Sequence, residues 1–492
     1  MKNKPNILFI ITDQQRTDTL GFLKRTPCQT PHIDRLASRG ISFDQCITPN
    51  PICGPARAAI FSGRYPHQLR SEVCPEGLGV TGRGYGKDMM LNTYSIRETP
   101  DLTNLLKGEG YSTAYAGKWH VGEDIIGDWF DRVEGNRLNK YREWLIENNL
   151  PDGWAMNDDD VKTHRVPHMS IPFPKVSPLE ASQTVDAWIT DIAIRQIEER
   201  PKDQAFFQVC SFIGPHPPFK IPEPYFSYFD PESIPEPPNF KPSALEPACK
   251  YYSFYRHIRQ DYSDDWSEWK KSVAVYWGFV KLMDDQVGRL IDCLERDQLL
   301  DETLIIFCSD HGEMLGQHGL WQKMQPYEES LRVPLVMAVP GMKEGEGIRS
   351  QAGASLIDIA PTILSVAGVK VPENYEGIDL SPSFTVGTTL KEDRMLFSEQ
   401  KPLGHFHGEV DWRLATDNRY KYVWNRTDQD EFYDLSADPW ETENLINNSD
   451  LKSVISTYKD ALLNWLKDTA DPLLPDFEYE LSFSDRLSKI LG

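Results

Sequence analysis

An α/β layered fold followed by a smaller α+β unit is the architecture this sequence predicts, and three observations predict it. Short, largely apolar runs at residues 7–12, 205–212 and 304–308 read as strands covered on both faces. They alternate with segments of helical period, the pattern of helices layered on a sheet. After about residue 385 the texture changes to a hairpin followed by an amphipathic helix. The expected division is therefore 1–384 for the large α/β domain and 385–492 for the smaller α+β unit.

The elements follow in chain order. The strand at 7–12 runs directly into Asp13-Gln14. Residues 30–40 predict a short helix stopped by glycine, and 56–62, after Pro55, a second helix. A helix at 102–108 precedes a strand at 112–117, which leads into Lys118-Trp119-His120. A helix at 187–199 precedes the strand at 205–212, which leads into Gly214-Pro215-His216-Pro217-Pro218. Residues 221–249, rich in proline and aromatics, read as a surface excursion. A long helix is expected at 273–300, then the strand at 304–308, ending in Ser309-Asp310-His311-Gly312-Glu313. Further along come a strand at 335–339 and a helix at 356–367. Residues 412–416 and 421–424, joined through Asp417-Asn418, predict an antiparallel hairpin. A helix at 454–465 follows it.

Composition narrows the function classes. The chain has 492 residues, with 52 Lys plus Arg against 74 Asp plus Glu, so its formal net charge is −22. Nucleic acid is excluded as a main partner, because a phosphate backbone demands basic surface. An anionic substrate is not excluded, since a few buried cations dominate a pocket locally. The 8 cysteines form no C-x-x-C pair and are irregularly spaced, which predicts reduced, packed thiols. No stretch is long enough to span a membrane. The apolar run at 7–11 is shorter than a signal-peptide core, so the expected compartment is the cytoplasm, or the periplasm or exterior where a signal has been removed. Asn425-Arg426-Thr427 fits a glycosylation sequon, read here as incidental.

The informative pattern is where polar residues fall. Asp13-Gln14, Lys118 with His120, His216, and Asp310-His311 each come just after an expected buried strand. Ligands of open α/β sheets bind at the C-terminal ends of strands, so four such ends predict one convergent site. Asp13, Gln14, Asp310 and His311 offer hard oxygens and one imidazole to a divalent cation. Oxygen ligands suit Ca²⁺, Mg²⁺ or Mn²⁺, and the imidazole tilts the choice toward Mn²⁺. The alternative for Asp310-His311 is a capped helix start before Gly312-Glu313.

The segment Pro51-Ile52-Cys53-Gly54-Pro55-Ala56-Arg57, continuing through Phe61-Ser62-Gly63-Arg64, resembles the type I sulfatase signature of the alkaline phosphatase superfamily. Phe61-Ser62 departs from the usual Leu-Thr. Gly117-Lys118-Trp119-His120, Pro215-His216-Pro217-Pro218 and Ser309–Glu313 resemble further motifs of that family in order. Lys323, after Gly319-Leu320-Trp321, sits where the family places a catalytic lysine. The C-terminal Tyr433-Asp434-Leu435, Asp438-Pro439 and Glu443-Asn444-Leu445 resemble its closing run. The resemblance implies a large mixed β-sheet sandwiched by helices, plus a smaller C-terminal unit with an antiparallel sheet. It also implies that Cys53 is oxidised to Cα-formylglycine by a maturation enzyme, and that one divalent metal is bound, Ca²⁺ first and Mn²⁺ as the alternative, with residue 53 joining Asp13, Gln14, Asp310 and His311 around it.

The same resemblance implies a mechanism. The aldehyde hydrate offers one hydroxyl, acidified by the metal, as nucleophile toward sulfur. The second hydroxyl collapses back to the aldehyde and expels sulfate. His120 is the base for that elimination and Arg57 holds the diol. Lys118 and Lys323 neutralise the sulfate oxygens, and His216 and Lys323 donate toward the leaving oxygen. The expected reaction is hydrolysis of a sulfate monoester on a sugar or a small aryl or alkyl group. Aromatics at 225–229 and 251–255 offer stacking surfaces for a sugar or, alternatively, a packed loop. His405 and His407 are candidate substrate-binding residues.

Two residues point elsewhere. The commonest calcium sulfatase set is three Asp and one Asn, whereas here Gln14 and His311 complete the set. That arrangement resembles the phosphonate monoester hydrolases of the superfamily, so a phosphonate monoester or phosphodiester hydrolase is the second reading. A non-catalytic anion- or sugar-binding relative with unmodified Cys53 is the third.

Overall fold

The computed structural model describes residues 4–69, 101–122, 125–136, 138–153, 174–240, 265–385, 390, 393–401 and 411–491. The strands of its first part are β1 (Asn6–Thr12), β2 (Gly40–Ile47), β3 (Ser112–Gly117), β4 (Arg132–Glu134), β5 (Lys175–Val176), β6 (Phe206–Ser211), β7 (Lys220–Ile221), β8 (Thr303–Ser309), β9 (Leu335–Ala338) and β10 (Ile348–Ser355). Eight of them form one sheet in the order β10-β2-β9-β8-β1-β6-β3-β4, while β5 and β7 pair in a small ribbon. β9 runs antiparallel to both its neighbours and the other pairings are parallel, so the sheet is mixed.

β1 shows why the sheet is central. Leu8 and Ile10 enter a core with the Val185–Glu198 and Trp266–Arg296 helices. Ile7, Phe9 and Ile11 enter a second core on the opposite face, with the Cys53–Ser62, Leu102–Gly108 and Ile359–Val366 helices. All five side chains are fully buried. Each contributes about 1.5–3 kcal/mol relative to exposure, so a strand between two helix layers is apolar at every position rather than at alternate ones.

Several elements differ from the sequence expectation for physical reasons. The Cys53–Ser62 helix starts at Cys53 itself, with Pro55 in the first turn, where a missing N–H costs nothing. Gly40 does not stop a helix. It opens β2, where a Cβ would lie 1.8 Å from the Met337 carbonyl oxygen of β9. β2 and β10 carry polar residues that hide the apolar-run signal. β10 forms one edge of the sheet, with its first half partly exposed.

The C-terminal part holds β11 (Leu396–Gln400), β12 (Trp412–Thr416), β13 (Tyr420–Asn425) and β14 (Glu431–Asp434) in an antiparallel sheet of that order. The expected hairpin is β12 and β13, turning at Asn418 with φ 72°. One face of this sheet, through Trp412, Leu414, Val423 and Tyr433, packs on Met314, Leu320, Met324 and Tyr327. The other, through Tyr422, Trp424 and Phe432, packs on Tyr458, Leu462 and Trp465 of the Lys452–Asp468 helix. A last helix, Leu474–Leu491, was not anticipated and seats Phe477 on Trp424. Asn425 of the sequon is buried and donates to the Gln429 carbonyl and to Glu431, so its amide serves the fold. No helix among the described residues is long and apolar enough to cross a membrane. The six described cysteines are free and buried, as expected.

A buried ion network ties the two parts. His67, just past the Cys53–Ser62 helix, meets Glu399 of β11 through Nδ1 at 2.5 Å and the Thr469 carbonyl through Nε2 at 3.2 Å. Both neighbours are acceptors, so the geometry fits an imidazolium. Arg413 of β12 pairs with Asp471 at 2.7 Å and with Asp411 at 3.2 Å. Burial pushes the His67 pKa down, but Glu399 and Asp471 outweigh it and hold the pKa above its usual value. A raised folded-state pKa stabilises below the unfolded value of about 6.5 and loses that contribution as pH rises through the folded pKa. His67→Ala is therefore expected to lower unfolding free energy in urea by about 3–5 kcal/mol at pH 6, with the gap from wild type narrowing as pH is raised. A gap that widens toward alkaline pH contradicts the imidazolium.

Candidate active site

Four neighbouring parallel strands, β8, β1, β6 and β3, end along one edge of the sheet. Asp310-His311 follows β8, Asp13-Gln14 follows β1, His216 lies beyond β6 and Lys118 follows β3. Cys53 and Arg57 come from the first turns of the Cys53–Ser62 helix. Lys323 arrives on the loop after β8. The C-terminal sheet braces that loop, since the Trp412 indole donates to the Met324 carbonyl at 3.2 Å.

Arg57 is fully buried and holds the site together. Its Nε donates to Asp310 Oδ2 at 2.8 Å, its Nη1 to Ser211 Oγ at 2.6 Å and to the Lys118 carbonyl at 3.0 Å, and its Nη2 lies 3.5 Å from Asp13 Oδ2. The other oxygen of Asp310 accepts the backbone N–H groups of Gln14 at 3.1 Å and His311 at 3.0 Å.

Lys118 is aimed by its backbone. Gly117 has φ 99°, and a Cβ there would lie 1.9 Å from the Ser211 carbonyl oxygen. Only glycine lets the chain turn so close across β6. Trp119 then drops into an aromatic cluster with Phe61, Tyr115 and Trp129. Lys118 is left on the site side, its Nζ 2.5 Å from Asp13 Oδ2. His120 closes the same turn, half-buried and with φ 67°.

Around Cys53 the distances are short. Its Sγ lies 3.1 Å from His311 Nε2, 3.2 Å from Lys323 Nζ and 3.6 Å from Asp13 Oδ1. Lys323 Nζ also donates to Gln14 Oε1 at 2.7 Å. Burial and Asp13 push the thiol up, but Lys118, Lys323 and His311 hold it well below its usual value. Burial also works against the Asp13 carboxylate, yet Lys118, His216, Lys323 and Arg57 keep it ionised. His216 Nδ1 sits 2.6 Å from the Pro217 carbonyl and donates to it, while burial and Lys323 push this imidazole down to about 3. Asp186 supports the His216 loop by accepting the N–H groups of Ile213 at 2.8 Å and Gly214 at 3.1 Å.

The donor set fits a divalent cation. Asp13, Cys53, Asp310 and His311 each present one ligand atom, all within 4.8 Å of one another and all buried. His311 Nε2 lies 3.8 Å from Asp13 Oδ1 and 3.6 Å from Asp310 Oδ1. Such spacings belong to atoms that share an ion at about 2.0–2.6 Å. His311 Nδ1 donates to the Gly312 carbonyl at 2.9 Å, which leaves the Nε2 lone pair facing the cluster. Burial and Asp13 push Asp310 up, a strain that a cation between the two carboxylates relieves. No helix begins between Asp310 and Glu313, so the capping alternative does not hold.

The structure thus gathers Asp13, Gln14, Cys53, Arg57, Lys118, Asp310, His311 and Lys323, with His216 close enough to act on Asp13 and Lys323. His405, His407 and the aromatics at 251–255 lie outside the described residues. Tyr225 and Phe229 pack on the long helix, Tyr225 donating to Asp285 and Phe229 meeting Trp277, so this stretch is a packed loop in which Tyr228 alone of the four aromatics is exposed. Sequence reasoning missed Ser211, Asp186 and Tyr115, whose hydroxyl donates to the Lys118 carbonyl. Ser211 carries the same signal as the others, a polar residue closing a buried strand.

The sulfatase family model matches residues 5–369, and the model for the C-terminal part of N-sulphoglucosamine sulphohydrolase matches residues 316–468. An ulvan-active sulfatase of Formosa agariphila is 27% identical over 94% of this chain and 80% of its own length. A multifunctional alkaline phosphatase superfamily protein, PehA, of Trinickia caryophylli is 29% identical over 96% of this chain and 97% of its own. Among solved structures, the phosphonate monoester hydrolase of Agrobacterium radiobacter superposes with a TM-score of 0.76 at 24% identity, covering 94% of this chain and 96% of that one. With the signature segment, the mixed sheet and the site geometry, these likenesses agree on one conclusion: the chain is an enzyme of the sulfatase family, within the alkaline phosphatase superfamily.

Proposed function

We propose that this enzyme hydrolyses sulfate monoesters of sugars or of small aryl or alkyl alcohols, with residue 53 as nucleophile after conversion of Cys53 to Cα-formylglycine. The observation that carries the reading is the position of Cys53 Sγ, within 3.6 Å of His311, Lys323 and Asp13 at once. A structural cysteine has no need of an ammonium group and a ligand cluster. The sugar arm draws on the family models and on the name of the Formosa relative.

Asp13, Gln14, Asp310 and His311 would hold the cation, Ca²⁺ or Mn²⁺, with residue 53. Such an ion supplies Lewis acidity that lowers the pKa of an adjacent hydroxyl. The chain's own groups do the rest. Arg57, locked by Asp310 and Ser211, orients the side chain of residue 53. Lys118 and Lys323 bind the sulfate oxygens and offset charge as the sulfur–oxygen bond to the alcohol breaks. Lys323 donates a proton toward the leaving oxygen, and His216, its Nδ1 proton held by the Pro217 carbonyl, stands beside Lys323 and Asp13. His120 accepts the proton whose removal lets sulfate depart.

A phosphonate monoester or phosphodiester hydrolase is the second reading. Gln14 and His311 favour it, since two carboxylates with an amide and an imidazole leave the site less negative, and more tolerant of a phosphorus ester, than three Asp and one Asn.

Side-by-side kinetics on an aryl sulfate and an aryl phosphonate monoester test the choice. The sulfate is expected to show the higher kcat/KM, and fast phosphonate turnover with negligible sulfate turnover reverses it. Cys53→Ala is expected to reduce sulfate turnover by at least about 10³-fold, and full activity in that variant removes residue 53 from the chemistry. Chelation by EDTA is expected to abolish turnover, with Ca²⁺ or Mn²⁺ restoring it. Undiminished activity after exhaustive chelation contradicts the cation.

A further inference from the structure

We propose that Glu313 is a positioning residue that decides which end of the Gln14 side-chain amide faces the cation site. This rests on the reading of Gln14 as a ligand given above. Glu313 closes the segment Ser309–Glu313 and is fully buried. Its Oε2 accepts from Gln14 Nε2. Its Oε1 accepts two backbone N–H groups, from Leu315 at 3.1 Å and from Gln322 at 2.6 Å. The opposite end of the Gln14 amide, Oε1, accepts from Lys323 Nζ at 2.7 Å.

Donor and acceptor chemistry leaves one orientation. A carboxylate only accepts and an ammonium only donates, so the NH₂ of Gln14 must face Glu313 and its carbonyl must face Lys323. Gln14 itself has φ 70°, and the Asp310 carboxylate holds its N–H, so the side chain starts from a fixed backbone. An amide whose ends were reversed would turn an NH₂ group toward Lys323, whose Nζ lies 3.2 Å from Cys53 Sγ in the ligand cluster. It could then offer the cation no lone pair. Glu313 also grips the chain at Gln322, one residue before Lys323, so a single carboxylate sets both an oxygen ligand and an anion-binding ammonium.

The arrangement makes a reciprocal exchange informative. In Glu313→Gln, the one remaining acceptor oxygen stays with the Leu315 and Gln322 N–H groups, because the NH₂ end cannot accept them. That NH₂ then confronts the NH₂ of Gln14, and the Gln14 amide reverses. In the double variant Gln14→Glu/Glu313→Gln, the new amide donates to the new carboxylate, whose second oxygen faces Lys323 and the cation. The sum of charges is unchanged. Gln14→Glu alone sets two carboxylates against each other.

Mn²⁺ binding to the full chain, stripped of metal by chelation, is measured by titration calorimetry, with circular dichroism melts reporting folding. Glu313→Gln is expected to weaken Mn²⁺ binding about 10- to 100-fold, the range for residues that orient ligands. The double variant is expected to return to within about threefold of wild type, while Gln14→Glu alone does not. Wild-type affinity in Glu313→Gln overturns the proposal, and so does a weak double variant, which assigns Glu313 a merely structural part. Gln14→Ala separates the two levels: unchanged Mn²⁺ affinity there overturns Gln14 as a ligand and this proposal with it, whereas weakened affinity there beside an unaffected Glu313→Gln overturns the positioning role alone.

Discussion

The guanidinium of Arg57 is fully buried, and a buried charge must be matched by opposite charge and hydrogen bonds, which orders everything around it. Asp310 and Ser211 match it directly, and Asp13 stands 3.5 Å away. Those three residues close three adjacent strands, so satisfying one cation fixes the ends of β8, β6 and β1 against the start of the Cys53–Ser62 helix. Cys53, one turn before Arg57 on that helix, is placed by the same bonds. Lys118 follows, because its carbonyl is a further acceptor for Arg57. The cluster that surrounds Cys53 is therefore a consequence of sheet order together with one buried charge.

This explains what was legible in the sequence. Strands such as β1, β6 and β8 lie between two helix layers and announce themselves as apolar runs, so the strand ends and the polar residues after them could be read directly. The convergence of Asp13, Lys118 and Asp310 needed only the rule that sites form at the C-terminal ends of parallel strands. β2, β10 and β11 were not legible because their polar residues serve the fold. Asp44 of β2 accepts from Arg349 and Gln351 of β10, and Glu399 of β11 accepts from His67. A local hydropathy pattern cannot show a contact made about 300 residues away along the chain. Glu313 was visible as the last residue of a motif, but its task lies in three hydrogen bonds to residues 14, 315 and 322 that only the folded loop brings together.

The C-terminal part has a mechanical relation to the site. Trp412, Leu414 and Val423 lie beneath Met314, Leu320 and Met324, the loop that delivers Lys323. The His67 and Arg413 network ties the chain just beyond the Cys53–Ser62 helix to β11 and β12. Both flanks of Cys53 are thus supported by residues more than 300 positions away in sequence, and the site's preorganisation is a property of the whole chain rather than of the large sheet alone.

Residue 53 is proposed to act as a formylglycine hydrate rather than as a thiol. This role is tested most directly by the mass of the peptide containing residue 53, taken from protein that turns over an aryl sulfate. That peptide is expected to be about 18 Da lighter than the cysteine form, as replacement of a thiol and a hydrogen by an aldehyde oxygen requires. Fully active protein whose residue-53 peptide carries the unmodified thiol would contradict it.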